Sequence, residues 1–426
     1  DTLGTPVAGA AVTARNVETG LSYATESTEA GDYWLGGLPP GTYEVRAERI
    51  GYAPTVRPSV ALSVGTTLRM NISLRVRAIS LDPIEVVAAP PVVETTESDV
   101  SFVLDHERIA RLPEESRQFL DLALLAPGAT AAPDNPEAVP TTQIGALNAY
   151  SVGVLVDGGQ LVHGGNNDYA GSFPLLAIRE FEVLTGGFAA EFGQAASGVV
   201  NAVTRRGTND FSVESFGLYR NHRLNATGAF EAEKPEYERT HWGLAAGGPL
   251  ERDRTHFFVA AERRTEDAFE TVSTDGAFPA LEGTFKVPFE STLVFARLDH
   301  RLAPDHDLTL RYGGELSTRR TDVGPSTSCA FFGGGNLASE EYGVEIEKDM
   351  HSLLGKHRWS LGGGALNEVT VHWVGTWERR ARLTDGPMLK YPSLCTGGNQ
   401  FAWDTPNHRF ELREDVSVVR SGAGGT

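Results

Sequence analysis

The chain lacks any long hydrophobic run. Nowhere in its 426 residues are 18 or more consecutive residues apolar, so the sequence encodes no transmembrane helix, which needs about 20 such residues. Hydrophobic residues still make up 40% of the chain, an ordinary share for a folded protein. A membrane is not excluded, because a β-strand crosses it with about 9–11 residues and only one apolar face.

Basic residues are also scarce. The 37 lysines and arginines are outnumbered by 56 aspartates and glutamates, which gives a formal net charge of −19. This charge argues against nucleic acid as a partner, since phosphates would repel it. A soluble protein with an acidic surface would account for the same charge. The length allows two to three domains, and the 47 glycines suit tight turns and closely packed β structure.

Sequence signs of catalysis are missing as well. The chain has no His-Glu-x-x-His or comparable zinc motif and no set of nucleophile, base and orienting residue, so an enzyme is the least expected class. His163 and Asp168 could suggest a metal, but two ligands do not define a site, and we predict no metal and no cofactor. The chain begins at Asp1 without an apolar leader. A secretory signal peptide would then have been removed, or the sequence begins late.

The most informative stretch covers residues 181–211. It reads FEVLTGGFAAEFGQAASGVVNAVTRRGTNDF: an alternating strand, a Gly-Gly turn, a helical turn rich in aromatic residues, and a second β-type run, Gly198–Thr204. This order of elements resembles the end of the plug domain of TonB-dependent outer-membrane receptors, the segment that leads into the first barrel strand. The resemblance implies a plug at residues 101–208 inside a large transmembrane β-barrel.

Residues 6–75 have the pattern of a small all-β sandwich. The predicted strands, with the turn that precedes the third, and the alternating runs cover residues 6–14, 31–35, 38–47, 51–52 and 68–74. The run Gly-Leu-Pro-Pro-Gly-Thr-Tyr-Glu-Val within this unit resembles the carboxypeptidase regulatory-like module, which is not a peptidase. We therefore assign residues 1–78 to a folded accessory domain.

Residues 79–100 change character and form a predicted linker. The linker contains a short β-prone run made of Ile84, Glu85, Val86, Val87 and Ala88. Two prolines and a polar stretch follow, so the plainest interpretation is a linker with an incidental strand. In the family, an extended segment at this place resembles a TonB box, and an unpaired β-prone backbone suits addition to a partner's sheet edge. We predict that the run is extended, poorly packed and binds TonB.

The predicted plug carries several candidate features. The apolar positions in residues 119–125 fit an amphipathic helix ended by Pro127-Gly128, and residues 152–159 form a strand and turn. Plug apex loops of the family contact ligand, which makes the residues of the next loop ligand-binding candidates: His163, Asn166, Asn167, Asp168 and Tyr169. A solvated loop packed on the barrel wall is the alternative. Arg205 and Arg206 are expected to pair with acidic residues of the inner wall, or to lie in a plain solvated turn.

From residue 209 onward the sequence alternates as in barrel hairpins. In residues 307–316 three leucines and a tyrosine fall on one face, and polar residues fall on the other. A soluble sandwich would alternate in the same way, but short connections also alternate with long ones, like periplasmic turns and extracellular loops. We predict eight strands, near residues 209–220, 239–249, 254–265, 289–302, 307–319, 350–361, 367–381 and 407–420. A plugged transporter has about 22 strands, so residues 209–426 are expected to be the start of an incomplete barrel, in a fragment of a longer gene product.

Cys329 and Cys395 are the only two cysteines. In a cytosolic protein they would be unrelated buried thiols. In an outer-membrane protein both would lie in long extracellular connections, since each follows an upward strand by hairpin parity. The oxidising setting would permit a disulfide there, but the sequence leaves open whether the two residues meet.

The sequence thus predicts a mainly β protein with a small β-sandwich, an α/β plug and a partial antiparallel transmembrane β-barrel. The resemblance is closest to the Oar-like branch of the receptors. It implies an outer-membrane location, import of a scarce solute, and an accessory domain and TonB box in the periplasm. The implied partners are TonB of the inner-membrane energising complex, outer-membrane lipid and an unknown extracellular solute. An adhesion or secreted-protein-handling barrel of this architecture is the second interpretation, and a soluble multidomain carbohydrate-binding β protein is the third.

Overall fold

The chain folds into three successive parts. The computed structural model describes residues 1–76, 85–86, 100–112, 118–131, 142–144, 151–163, 169–188, 192–193, 195–224, 226, 234, 236–362 and 364–418. We call residues 1–76 the N-terminal module, residues 100–204 the central unit, and the long strands between residues 212 and 418 the wall sheet. Among these residues, no helix is both long and apolar enough to span a membrane.

Short strands build the N-terminal module. They are β1 (Ala11–Asn16), β2 (Ser22–Glu26), β3 (Gly41–Glu48), β4 (Tyr52–Ala53), β5 (Thr55–Leu62) and β6 (Arg75–Val76), followed outside the module by β7 (Glu85–Val86). In the described residues they form a five-stranded sheet, in the order β2-β1-β3-β5-β7, and a two-stranded ribbon of β4 and β6.

The sheet of the module buries one face. Val12 on β1 and Tyr43 and Val45 on β3 point into one core and are at most 6% exposed, as the two-residue period of a strand requires. Residues 31–35 and 68–74 are not strands, which corrects the prediction for both segments, but their alternate side chains pack against this core. Alternation of apolar and polar residues indicates only that every second side chain is buried against one surface. An extended segment can therefore alternate without hydrogen-bonded pairing to a neighbouring strand.

The central unit combines a mixed sheet with short helices. Its strands are β8 (Val100–Asp105), β9 (Ala129–Ala131), β10 (Thr142–Ile144), β11 (Val152–Val156), β12 (Gly159–Gln160), β13 (Ile178–Gly186) and β14 (Gly198–Thr204). The helices in its described residues are α1 (His106–Arg111) and the 3₁₀ helices Phe119–Leu125 and Leu175–Ala177. The described sheet runs β12-β11-β14-β13-β8, with β11 parallel to β14.

The segment predicted as an amphipathic α-helix is the 3₁₀ helix Phe119–Leu125. Three residues per turn place Phe119 and Leu122 on one face, and both are fully buried. Leu124 and Leu125, which the helical pattern placed on the apolar face, are 38% and 46% exposed. The segment is short and its first residue has no side-chain cap, so little favours a longer α-helix.

Eight long strands form the wall sheet. The strands and the helix of this region are β15 (Ser212–Asn221), β16 (Tyr237–Glu251), β17 (Thr255–Val272), β18 (Gly283–Ala303), β19 (His306–Thr321), β20 (Gly324–Pro325), α2 (Thr327–Phe331), β21 (Leu337–Ala338), β22 (Val344–Gly362), β23 (Ala365–Arg382), β24 (Leu389–Lys390), β25 (Cys395–Thr396) and β26 (Trp403–Val418). In the described parts of the connections, 3₁₀ helices cover His222–Leu224, Pro279–Leu281 and Glu340–Tyr342. In the part of the chain that the structure describes, the antiparallel order is β15-β16-β17-β18-β19-β22-β23-β26, and the eight predicted strands are confirmed.

The wall sheet has two unlike faces. On β19, Arg311 and Glu315 are buried against the central unit, whereas Leu310 and Leu316 are 44% and 48% exposed on the other side. One core joins aromatic residues of the central unit to those of the wall sheet, with the rings of Phe173 and Phe295 6.1 Å apart. The outer face is therefore apolar and exposed, as on a strand that turns one side to lipid.

Candidate functional site

A buried turn of the central unit forms the centre of the candidate site. Asp157 and Gly158 link β11 to β12 and both have positive φ, 52° and 84°, which a two-residue hairpin of this type requires. The Asp157 carboxylate accepts hydrogen bonds from the backbone N–H of Thr204 at 2.9 Å and from its hydroxyl at 2.7 Å. It also pairs at 3.3 Å with Arg297 and with Arg311, on β18 and β19. The turn is thus held between its own sheet and the wall sheet.

The charges around this turn are buried and nearly balanced. Arg297 also pairs with Asp299 at 2.8 Å, so two guanidinium groups face two carboxylates. Burial alone would raise the pKa of Asp157, but Arg297 and Arg311 lower it more, and the pKa lies below its ordinary value. The group therefore stays ionised, and removing either partner would leave an uncompensated buried charge.

Wall carboxylates also hold the backbone of the central unit at three other places. In each case a glutamate of the wall sheet accepts a backbone N–H of the central unit. The pairs are Leu176 with Glu262 at 3.0 Å, Ser172 with Glu315 at 2.7 Å, and Gln160 with Glu411 at 3.1 Å. Such contacts are separate from one another, and each can be exchanged for water in turn. The central unit is thus held to the wall sheet at several separate polar points.

The two arginines predicted at the boundary lie in different surroundings. Arg205 donates to the Glu214 carboxylate of β15 at 2.6 Å and to the Leu176 carbonyl at 3.2 Å. It therefore joins the central unit to the first strand of the wall sheet. Arg206 lines a cavity of about 580 Å³ between the N-terminal module, the central unit and the wall sheet, where Arg297 also lies.

The predicted ligand loop is only partly described. Asn166, Asn167 and Asp168 lie outside the described residues. His163 is partly exposed, whereas Tyr169 is 8% exposed and packs edge-on against Phe119, with ring centres 5.9 Å apart. A β-bridge between Val162 and Tyr169 closes the base of the loop. Contact of this loop with a ligand stays a prediction.

The TonB-box-like run is described at two positions. Ile84, Val87 and Ala88 lie outside the described residues. Glu85 and Val86 form β7, which pairs in parallel with Thr55 and Val56 of β5. The sequence predicted an extended backbone without a partner. The backbone is extended, but it is paired, because the outer edge of β5 is open to a β-prone segment tethered nearby.

The two cysteines are joined in a disulfide, with their Cα atoms 5.7 Å apart. They lie in the connections that follow β19 and β23, which meet at one end of the wall sheet. A small sheet of β20, β21, β25 and β24 links the same connections. Buried Asp322 adds a polar anchor, since it accepts hydrogen bonds from Arg380 at 2.6 Å and Asn399 at 3.2 Å. We call residues 322–343 and 383–402 together the loop cap.

Sequence reasoning missed Asp157 and its partners. The Val-Asp-Gly-Gly run identified a turn, and the alternation of β19 placed Arg311 and Glu315 on the inner face. No local pattern connects residue 157 to residues 297 and 311, because the pairing depends on how two separate units pack. The sequence offers one sign of this contact, which is an aspartate in a hairpin turn together with arginines at inward-facing strand positions.

Comparisons with known proteins agree with this architecture. Three families match parts of the chain: the carboxypeptidase regulatory-like domain at residues 1–75, the TonB-dependent receptor plug domain at residues 93–200, and an outer membrane beta barrel domain at residues 203–291. The TonB-dependent transporter Oar of Myxococcus xanthus is 28% identical over 270 residues, which is 60% of this chain and 25% of that protein. The chain therefore spans about a quarter of the length of this curated relative.

Solved structures share the fold. The outer membrane transporter YddB of Escherichia coli matches with a TM-score of 0.55 at 13% identity, over 76% of this chain and 46% of that one. The siderophore receptor PirA of Acinetobacter baumannii matches with a TM-score of 0.53 at 16% identity, over 74% and 44%. At these identities the likeness concerns the fold alone, and it supports a central unit packed inside a barrel wall.

Proposed function

Because the chain carries the regulatory-like, plug and barrel domains of an outer-membrane TonB-dependent receptor, we propose that it imports a scarce solute across that membrane. In this proposal the solute binds on the extracellular side, and energised movement of the central unit opens a path to the periplasm. No catalytic step is needed, and the similar proteins named above are transporters or receptors.

The observation that carries the proposal is the way the central unit is held. Its contacts with the wall sheet include a buried charged turn at Asp157 and separate hydrogen bonds to wall glutamates. Apolar packing, such as that of Phe173 against Phe295, also lies at this interface and supplies stability, whereas buried ion pairs are weak stabilisers. Polar contacts that can be exchanged for water suit a unit that has to leave its place and return.

Residues 84–88 would connect this movement to its energy source. An extended run that adds to a partner's sheet edge binds mainly through its backbone, so it can transmit a pull whatever its side chains are. We assign TonB of the inner-membrane complex as the partner. Outer-membrane lipid would contact the exposed apolar face of the wall sheet.

The test uses a pair of substitutions at one position. Val86→Pro removes a backbone donor from the run, whereas Val86→Ala keeps the donor and serves as the matched control. Cells that produce the wild-type, Pro or Ala receptor are grown in one medium, and the solutes removed from the medium are compared by mass spectrometry. We expect the wild type and Val86→Ala to deplete the same solute, and Val86→Pro to deplete at least about ten-fold less while binding it at the surface.

Equal depletion by Val86→Pro would show that residues 84–88 do not couple the receptor to its energy source. Surface binding without any depletion in the wild type would favour the adhesion interpretation instead.

A further inference from the structure

In the structure, Glu85 and Val86 of the TonB-box-like run pair with another strand of the same chain. Strand β7 lies along the outer edge of β5 in a parallel register, with Glu85 opposite Thr55 and Val86 opposite Val56. On its other side β5 pairs with β3, so β7 fills the one edge of β5 that the rest of the module leaves open. An open edge presents a row of unpaired N–H and C=O groups, which bind any β-prone segment within reach.

This edge can hold only a short segment. The regular pairing of β5 with β3 is interrupted between Tyr43 and Val45, beside the stretch of β5 that contains Pro58. Proline has no N–H to donate, so a parallel ladder that starts at Thr55 soon loses its donors. The held segment is therefore attached by few hydrogen bonds and can be released without unfolding the module.

The module itself is anchored to the other two parts of the protein. The Glu18 carboxylate pairs with Arg179 of the central unit at 2.8 Å, and the backbone N–H of Val64 donates to Glu180 at 2.7 Å. On the opposite edge of the sheet, the guanidinium groups of Arg301 and Arg358 each lie 4.6 Å from the centre of the Tyr23 ring. The outer edge of β5 is therefore held in place relative to the central unit and the wall sheet.

We propose that the outer edge of β5 is a holding site for Glu85 and Val86 of the TonB-box-like run, and that it competes with TonB for this run. While β7 is paired, its orientation is set by the anchored module, so the run lacks the freedom to align with a second sheet edge. If TonB pulled on a run that was still bonded to β5, the force would act on the anchored module and not on the central unit. Release from β5 must then precede coupling. This inference rests on the proposed function, because it takes TonB as the competing partner.

A reversible covalent lock tests the competition. In the intact receptor, Val56→Cys is combined with Val86→Cys, since these residues are direct neighbours in the ladder and adjacent strands lie about 5 Å apart, within disulfide range. Ser59→Cys with Val86→Cys is the control, because three residues further along β5 the separation exceeds about 7 Å. Binding of the purified C-terminal domain of TonB is measured before and after reduction, with the wild type treated in parallel.

We expect the disulfide lock between positions 56 and 86 to form under mild oxidation and the control pair to remain unlinked. The locked receptor should bind the TonB domain at least about ten-fold more weakly than the same receptor after reduction. Failure of the lock to form, or equal binding before and after reduction, would overturn the holding site and leave the proposed function intact. If neither the reduced variant nor the wild type binds the TonB domain, the proposed function fails and this inference fails with it.

Discussion

Asp157 joins the central unit to the wall sheet through one buried carboxylate. Its positive φ of 52° fixes the hairpin turn, and its carboxylate faces two arginines of the wall sheet, Arg297 and Arg311. The same side chain also accepts two hydrogen bonds from Thr204. One carboxylate therefore joins β11, β14, β18 and β19.

The first prediction concerns the charge of Asp157. Asp157→Asn keeps a residue type that tolerates positive φ but leaves Arg297 and Arg311 with an excess of buried positive charge. Breaking such a pair costs about 3–5 kcal/mol, and we expect the amides of the β11–β12 hairpin to exchange hydrogen at least about 100-fold faster. Asp210→Asn is the control, since Asp210 is 94% exposed in its pair with Arg252. Unchanged exchange in Asp157→Asn would show that the turn is held by its hydrogen bonds alone.

The second prediction follows from the pKa of Asp157. Because Arg297 and Arg311 lower this pKa in the folded protein, the stability contributed by ionised Asp157 is complete above the unfolded aspartate value of about 4. It is lost only as the pH falls through the lower folded value. Hydrogen exchange in the hairpin, corrected for its intrinsic pH dependence, should therefore be constant from about pH 5 to 8 and rise below about pH 4. Faster exchange already between about pH 5 and 7 would show that a group other than Asp157 holds the hairpin.

The third prediction concerns two tyrosines of the N-terminal module. Burial raises the pKa of Tyr33 and of Tyr43 to about 12, and the Tyr43 hydroxyl donates to the Pro39 carbonyl at 2.6 Å. Their neutral forms stabilise the module fully below the unfolded value of about 10, and this stability is lost as the pH rises through about 12. Ultraviolet titration of the native protein should show phenolate absorbance near pH 12 that is reduced in Tyr43→Phe. An identical titration curve for Tyr43→Phe would contradict the assignment.

Among the elements, the loop cap is stabilised by a covalent link. The disulfide closes a loop with a sequence separation of 66 residues, and in the chain-entropy account such a loop gains roughly 4 kcal/mol from the bond. Residues that form little regular structure can therefore keep a fixed arrangement at the end of the wall sheet. The link also restrains β24 and β25 through Cys395.

The fourth prediction tests that link. When the protein is unfolded in denaturant without a reductant, neither cysteine should react with a thiol reagent. After reduction, two thiols should become reactive. Cys329→Ser combined with Cys395→Ser should leave the long strands folded but make residues 322–343 and 383–402 more sensitive to protease. Two reactive thiols in the unreduced protein, or unchanged protease resistance in the double variant, would contradict a restraining disulfide.

At the same scale, the elements that sequence predicts best are those with one buried face. The period of two along β19 and β23 reflects burial on one side and exposure on the other, so both strands were predictable. Residues 31–35 show the limit, because they alternate for the same reason and still lack a ladder partner. The pairing of β7 with β5 and of Asp157 with Arg311 was not predictable, since both depend on which separate surfaces meet.

For the whole molecule, the N-terminal module is docked against both the central unit and the wall sheet. Polar contacts at several places hold it, among them the pair of Glu18 and Arg179, which are joined by two hydrogen bonds of 2.8 and 3.4 Å. Both side chains are partly exposed, so solvent screens the pair and its contribution is modest, about 0.5–1 kcal/mol. This pair alone does not anchor the module, and it acts together with the contacts at Val64 and Tyr23.

The fifth prediction measures this docking with a charge swap. Glu18→Arg and Arg179→Glu should each speed hydrogen exchange at the Val64 amide, which donates across the same interface to Glu180, by about three- to ten-fold. The double variant should recover most of the loss, because the pair is restored with opposite polarity. Glu29→Arg, at an exposed position of the same module, controls for net charge. If both single variants speed exchange and the swap recovers nothing, the two residues act separately, and the module is docked through its contacts at Tyr23 and Val64.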